Sequence, residues 1–334
     1  MRSGKRVGPF PMSVTIVIPA FNAARFLGLT LDSVRNQTVS DWETIVVDDG
    51  STDATGEIAE RYSLLDGRIR VRRQENQGLA STRNNGLAEG DPARPLALFL
   101  DADDLLEPDA IEAMSAELAK SPDAPAVHGM GRFISYEGAD QPELGTFPQT
   151  RVAVRLGGPT FILTEAADTV QNTLVVKNCI LSAGAVLIRK SALKAAGPWN
   201  PKFGGVEDLD MWYRLAGIHP IRFLPRVVMA YRVHGGSMSR NRDMMRRAAM
   251  LVRQEWLANA DKAGRQLVRA GYRTVVRQGA RQRISVFVKA FKAHQWGAAA
   301  RSWLPAMTAL GKAMPGASDV FLYWHSLRME SPQR

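Results

Sequence analysis

The stretch Leu96-Ala97-Leu98-Phe99-Leu100-Asp101-Ala102-Asp103-Asp104-Leu105-Leu106-Glu107-Pro108 decides how the chain is read. An apolar run over residues 96–100 passes directly into Asp101, Asp103 and Asp104. Such a run reads as a short strand buried on both faces, as in parallel sheets covered by helices. The acids then fall at the carboxyl end of the strand, the edge where open α/β sheets bind ligands. In extended chain Asp101 and Asp103 point to the same side. Two converging carboxylates repel unless a cation lies between them. An all-oxygen set suits a hard divalent ion, Mn²⁺ or Mg²⁺ (manganese or magnesium), which typically bridges to phosphate oxygens. The plainer reading of the same acids is a polar loop capping a helix that starts near Glu107 and Pro108.

The residues upstream repeat the pattern. Residues 13–19 are β-branched and apolar and predict a first strand, ended by Pro19. Residues 25–36 place Phe26, Leu27, Leu31 and Val34 on one side of a helix. Residues 44–47 predict a second buried strand running into Asp48-Asp49-Gly50-Ser51-Thr52-Asp53, with Asp53 as N-cap of a helix over 54–64. A strand over 69–72 and a helix over 78–88 follow. The order β-α-β-α-β-α-β means a parallel, doubly wound α/β sheet with right-handed crossovers and its acid-rich turns on one edge. Downstream, the spacing predicts a helix over 111–120, a strand over 126–136, a loop near the site over 137–160, a strand over 178–189 and a helix from Ser191. A helix over 209–216 and a final strand over 221–233 complete this part.

Composition sets bounds on the whole. The 334 residues, 45% of them hydrophobic, can build one large domain or two ordinary ones. No apolar run approaches the ~20 residues of a membrane span. Residues 1–12 carry basic side chains but no apolar core, which predicts a tail without a secretory signal. Cys179 is the sole cysteine, so no intramolecular disulfide forms; its apolar neighbours make it a core residue. From Arg240 onward there are 18 Lys/Arg against 5 Asp/Glu, a net of +13, while the whole chain carries +10. The basicity therefore belongs to residues 240–334, which read as a helical C-terminal extension. There Arg265, Arg269, Arg273, Arg277 and Arg281 recur every fourth residue and form a slowly winding ribbon. Such a ribbon is either a solvated face or a contact for an anionic membrane surface, an option that Trp296, Trp303, Tyr323 and Trp324 keep open.

Taken together, the motifs carry a resemblance. In order they are Pro19-Ala20-Phe21-Asn22; Asp48-Asp49-Gly50-Ser51; Asn76-Gln77-Gly78 with Arg83-Asn84; Asp101-Ala102-Asp103; Glu207-Asp208-Leu209-Asp210-Met211-Trp212-Tyr213-Arg214; and Tyr231-Arg232-Val233-His234. Over about residues 13–240 this set resembles the inverting glycosyltransferases of family 2. The resemblance implies a GT-A fold over 13–239, a nucleotide-sugar donor with UDP favoured, and a saccharide or lipid-linked acceptor in polysaccharide or glycoconjugate synthesis. It implies nucleotide contacts from Pro19, Ala20, Asn22, Asp48, Asp49, Arg83 and Asp101. Of these, Asp49 would accept from the uracil N–H and Arg83 would stand near the phosphates. It implies metal ligation by Asp103, with Asp101 and His234, and a general base at Asp208. Glu207, Trp212 and Arg214 are expected to support the site. Read singly, Asp208 could simply cap the helix after it and His234 could be structural.

The chain lacks the Gln-X-X-Arg-Trp sequence that processive synthases of this family carry. The expectation is therefore a single-addition enzyme in the cytoplasm, with attachment to the inner membrane face as the extension's option. A nucleotidyltransferase is the alternative enzyme, but residues 19–25 lack a Gly-rich triphosphate loop. A basic nucleic-acid-binding protein is the non-enzymatic alternative. No helix-turn-helix, zinc-finger or RNA-recognition signature supports it, so no nucleic-acid partner is expected.

Overall fold

The computed structural model describes residues 13–148, 152–153, 161–162, 167–235 and 241–276. By internal packing the chain divides into two units. The first comprises Met1–Arg151, Leu163–Gln171 and Cys179–Ala248; the second comprises Val152–Ile162, Asn172–Asn178 and Ala249–Arg334.

The first unit opens with β1 (Val14–Ala20), α1 (Leu27–Arg35), β2 (Trp42–Asp48), α2 (Thr55–Leu65), β3 (Ile69–Arg73), α3 (Leu79–Glu89) and β4 (Leu96–Phe99). The four strands are parallel in the order β3-β2-β1-β4, with Val14 level with both Trp42 and Leu96. All residues of β1, β2 and β4 are buried, as in sheets covered on both faces, and the buried polar pair at their start is satisfied by the Thr15 hydroxyl donating to Glu43 Oε1 at 2.7 Å. One face of the sheet, carrying Ile16, Ile18, Val46 and Leu98, packs with Leu27 and Leu31 of α1. The opposite face carries Val17 and Val47, against which α3 lies at Gly86.

After β4 come β5 (Leu105–Leu106), α4 (Ala110–Ala119), β6 (Ala126–Ile134), β7 (Thr146–Phe147), β8 (Val152–Ala153), β9 (Phe161–Ile162), α5 (Gln171–Leu174), β10 (Val186–Arg189), α6 (Lys190–Ala196), α7 (Glu207–Ile218) and β11 (Arg222–Arg232). The sheet continues β4-β10-β6-β11-β5, with β7 beside β6. Here the parallel order breaks. β10 is antiparallel to both β4 and β6, and β5 is antiparallel to β11, while β6 and β11 are parallel. The sheet is thus mixed and mostly parallel.

Three local expectations change. The strand expected over 178–189 is only four residues long, because Ala183–Ala185 form a tight turn in which the Ser182 hydroxyl accepts the Gly184 N–H. β1 runs one residue past Pro19, since its ladder with β2 continues to Ala20 and Asp48. Asp53 sits one residue before the N-cap, Ala54, yet still accepts the Thr55 N–H at 3.0 Å and, from the first loop, the Ala24 N–H at 3.1 Å. Cys179 is buried, as expected.

In the second unit β8 pairs antiparallel with β9. α8 (Arg242–Asn259) begins in the first unit and ends in the second, and residues 262–276 are also helical. In the latter helix Val268 and Tyr272 are buried, whereas Arg265, Arg269 and Arg273 of the expected ribbon are half-buried. Arg277, Arg281 and the aromatics from Trp296 to Trp324 lie outside the described residues, as do residues 1–12. Among the described residues no helix is long and apolar enough to cross a membrane.

The close approach of α3 to the sheet gives a direct test. A Cβ at Gly86 would lie 2.4 Å from Val17 Cγ1 and 3.0 Å from Val47 Cγ2, both on rigid β-branched side chains in the sheet. Gly86→Ala is expected to destabilise the protein by about 1–3 kcal/mol, read as a lower urea midpoint with an unchanged slope.

Candidate active site

The carboxyl ends of β1, β2, β3 and β4 bring four loops together. Asn22 adopts a left-handed backbone, φ 49°, a conformation asparagine tolerates better than most residues. From there its N–H donates to Ser51 Oγ at 3.0 Å and its Oδ1 accepts the Thr52 N–H at 2.9 Å, tying the first loop to the second. Pro19 and Ala20 are buried at the end of β1, and the Ala20 carbonyl accepts the Asp49 N–H. Asp48 accepts the Ser51 N–H at 3.0 Å. Asp49 is buried and turned onto the third loop. Its Oδ1 accepts from Gln74 Nε2 and the Gln77 N–H, both at 2.8 Å, and its Oδ2 accepts the Gly78 N–H at 2.9 Å. These carboxylates therefore set the shape of the loops that form the edge.

Arg83 of α3 is 2% exposed, and its guanidinium is shared between two motifs far apart in the chain. Nη2 donates to Asp101 Oδ1 and Nη1 to Glu207 Oε1, each at 2.8 Å. Burial alone would lower its pKa, but the charges of Asp101, Glu207 and, further off, Asp208 outweigh this and raise it. Glu207 Oε2 in turn accepts the Gly205 N–H at 2.8 Å, fixing the entry to α7. Asp208 follows in the first turn, half-buried, with Oδ1 2.6 Å from the Leu209 N–H.

Below this brace the aromatic packing is dense. Arg83 lies over the Trp199 ring, 4.7 Å from its centroid, and that ring meets Phe99 and Trp212 edge-on at 4.9 and 5.7 Å. The Asn84 side chain exchanges two hydrogen bonds, each 2.9 Å, with the Trp199 backbone. Arg214 is anchored by Asp210 and donates to the carbonyls of Ala196, Gly197 and Pro198, which hold the segment before Trp199. Trp212 and Arg214 thus pack against and hold the segment that carries Trp199.

The acids after β4 have three different environments. Asp101 is on Arg83. Asp103 Oδ2 lies 2.8 Å from His234 Nε2, 131 residues away. Burial first and then the charge of Asp101 push the Asp103 carboxyl above its usual range, with His234 opposing. Asp104 is 1% exposed; its Oδ1 accepts the Arg232 N–H at 3.0 Å and its Oδ2 the Ser182 hydroxyl at 3.1 Å. Burial, followed by Asp103 and Asp101, raises its pKa well above the ordinary value.

Among the described residues no group of three or more His, Cys, Asp or Glu is arranged to hold a metal ion. A divalent ion still fits the chemistry here, because Mg²⁺-type sites often take one or two carboxylates and complete their shell with phosphate and water. Asp101 and Asp103 are about one-third exposed at the side chain, and their mutual repulsion is what a cation would relieve.

The structure adds residues that sequence reading gave no role: Asp104, Ser182, Arg232, Asn84 and Trp199. Asp104 and Arg232 stand inside the quoted motifs, and Asn84 adjoins Arg83, so position in a motif was the available signal. Ser182 and Trp199 meet the site only through tertiary contacts.

The family model for glycosyl transferase family 2 matches residues 15–194. The chain belongs to that family. Similar relatives include the putative glycosyltransferase EpsH of Bacillus subtilis, 41% identical over 104 residues, covering 30% of this chain and 29% of that protein. Another is the chondroitin synthase of Escherichia coli, 36% identical over 126 residues, 37% of this chain and 18% of that protein. The chain thus spans less than a third of the length of either relative. Among solved structures, S. aureus TarS 1-349 in complex with UDP-GlcNAc matches with TM-score 0.59 at 17% identity, covering 96% of this chain and 93% of that one. The Pyrobaculum calidifontis mannosyltransferase PcManGT, in complex with GDP-Man and Mn²⁺, matches with TM-score 0.55 at 16% identity, covering 96% and 81%. At these identities the likeness shows the fold, which is GT-A.

The brace defines a stability test. Removing one partner of a buried ion pair strands the other charge, at a cost of about 3–5 kcal/mol. Arg83→Met is expected to lose that much in urea unfolding, whereas Arg72→Met, whose ion pair with Glu89 is exposed, is expected to change stability by less than ~1 kcal/mol.

Proposed function

We propose that this chain is a metal-dependent inverting glycosyltransferase that moves a sugar from a nucleotide-sugar, UDP-sugar favoured, to a saccharide or lipid-linked acceptor in polysaccharide or glycoconjugate synthesis. The observation that carries this reading is the joining of Asp101 and the Glu207-Asp208 turn through one buried arginine. In this reading the brace fixes Asp101 on the donor side and, through Glu207, the turn that carries Asp208 on the acceptor side. The nucleotide would lie across the loops of Pro19, Ala20, Asn22, Asp48 and Asp49, with Asp101 toward the ribose or sugar. Asp103, with Asp101 and His234, would hold Mn²⁺ or Mg²⁺. Bound there, the ion would neutralise the leaving diphosphate.

Asp208 takes the proton from the acceptor hydroxyl as that oxygen attacks the anomeric carbon. The bond from that carbon to the diphosphate breaks on the opposite face, and the configuration inverts. Glu207 and Arg83 position the turn that carries Asp208. Relatives solved with UDP-GlcNAc, and with GDP-Man and Mn²⁺, support a nucleotide-sugar donor. In this reading residues 13–239 carry catalysis and 240–334 form a basic extension in a cytoplasmic protein.

Calorimetric titration of UDP, dTDP and GDP with Mn²⁺ tests the reading. One nucleotide is expected to bind the wild type, and Asp103→Ala is expected to lose the metal-dependent part of that binding. Asp208→Asn is expected to bind nucleotide as well as wild type but to release sugar about 10²–10⁴-fold more slowly. If no nucleotide binds in the presence of Mn²⁺, the proposal fails. For the extension, flotation with phosphatidylglycerol vesicles is the check. Binding is expected to weaken when Arg265, Arg269 and Arg273 are all changed to Glu and to be absent on phosphatidylcholine vesicles; equal binding of both vesicle types removes the membrane role.

A further inference from the structure

One cation at the same edge has no part in the brace or in the nucleotide loops. Arg25, in the turn before α1, is exposed, and its guanidinium lies over the Tyr136 ring, 4.1 Å from the centroid. Among the described residues no carboxylate pairs with it. Tyr136 meets Phe26 edge-on at 5.3 Å, and the His234 ring stands 5.3 Å from Phe26 and 6.3 Å from Tyr136. His234 in turn contacts Asp103. A continuous aromatic group therefore connects Arg25 to the acid end of the site.

The platform under Arg25 is held from behind. Arg232, 1% exposed, lies over Phe26 at 4.9 Å and donates through Nη1 to the carbonyls of Ser135 and Tyr136 and through Nε to that of Asp103. A buried arginine thus fixes the backbone of the very tyrosine on which the exposed arginine rests. The ring covers one side of the Arg25 guanidinium, and among the described residues no hydrogen bond takes up its N–H groups. A planar fork of that kind grips phosphate oxygens two at a time.

We propose that Arg25, seated on Tyr136, is a phosphate-binding side chain at the His234 end of the site. The phosphate belongs either to the diphosphate of the donor or to a phosphorylated acceptor. This proposal rests on the sugar-transfer reading only for the source of the phosphate, not for the anion site itself.

The test is calorimetry in Mg²⁺ on wild type, Arg25→Gln and Tyr136→Leu, with inorganic diphosphate, UDP, uridine and glycerol 3-phosphate as probes. Arg25 is exposed, so its replacement leaves the fold in place. Inorganic diphosphate is expected to bind Arg25→Gln about tenfold or more weakly than wild type, the loss of a charge-assisted bidentate contact, with Tyr136→Leu weakened less. An equal loss for UDP with uridine unchanged assigns the donor diphosphate. Unchanged UDP, with glycerol 3-phosphate lost from the UDP-loaded protein, assigns the acceptor. If no phosphate probe distinguishes Arg25→Gln from wild type, the proposal is overturned. If diphosphate binding depends on Arg25 but no nucleotide binds, the anion site stands and the sugar-transfer reading falls.

Discussion

The structure depends on a charge that cannot be left alone. Arg83 is carried by α3 to the underside of the sheet edge, where a lone guanidinium would be prohibitively costly to desolvate. It is tolerated because two carboxylates meet it, one from the end of β4 and one from the start of α7. The pairing works as a geometric constraint as well as an electrostatic one. The fork of an arginine offers separate N–H groups in fixed directions, so Asp101 and Glu207 take up defined positions about one plane. The π face of the guanidinium is covered by Trp199, and Asn84, the next residue of α3, clamps the Trp199 backbone. One turn of α3 therefore sets the relation between segments more than a hundred residues apart.

The same economy runs along the edge. Loops at the ends of parallel strands have few backbone partners of their own, because the ladder has stopped. Here side chains supply them: Asn22 to the second loop, Asp49 to the third, Asp53 back to the first. Each loop is held by a polar side chain from another, so the edge behaves as a joined rim. A rim built this way can present backbone and side-chain groups to a ligand without rearranging, which is where binding energy is best kept.

How much of this was legible in the sequence follows from what each feature depends on. β1 to β4 and the helices between them are local patterns, apolar runs and helical stripes, and they stand within a residue or two of where the pattern puts them. The ends of the strands were legible for the same reason, and with them the acids. β10 was not, because its strand is cut short where Gly184 passes close to Leu100 and Met229, a constraint imposed from elsewhere in the fold. Its antiparallel direction was hidden too, since an apolar run reads the same in either direction. The partner of Arg83 was equally beyond reach: the sequence shows an arginine in a helix and two acids far away, and only the tertiary fold selects Asp101 and Glu207 for it. Trp199 follows a Gly-Pro stop and reads as a loop aromatic until the fold places it against Phe99 and Trp212.

The acids after β4 show how one short polar stretch can serve three purposes. Residues 101–104 are not extended but form a turn closed by the Asp104 N–H on the Asp101 carbonyl at 3.1 Å, in which Asp101 and Asp103 stay partly exposed on the outside and Asp104 is buried on the inside. The outward pair meets cationic or ionisable partners, Arg83 for one and His234 for the other, and keeps part of its surface for a ligand. The inward acid receives a backbone N–H from β11 and a hydroxyl from Ser182, with no cation bonded directly to its carboxylate among the described residues. Burial raises its pKa well above the ordinary value, which suits an anchor that joins strand ends better than a group that must carry charge. The strand β5 begins immediately after it and pairs with Met229 and Ala230 of β11, so the anchor also fixes where the chain turns. Asp104 thereby ties the turn that carries Asp101 and Asp103 to β11 and to Ser182.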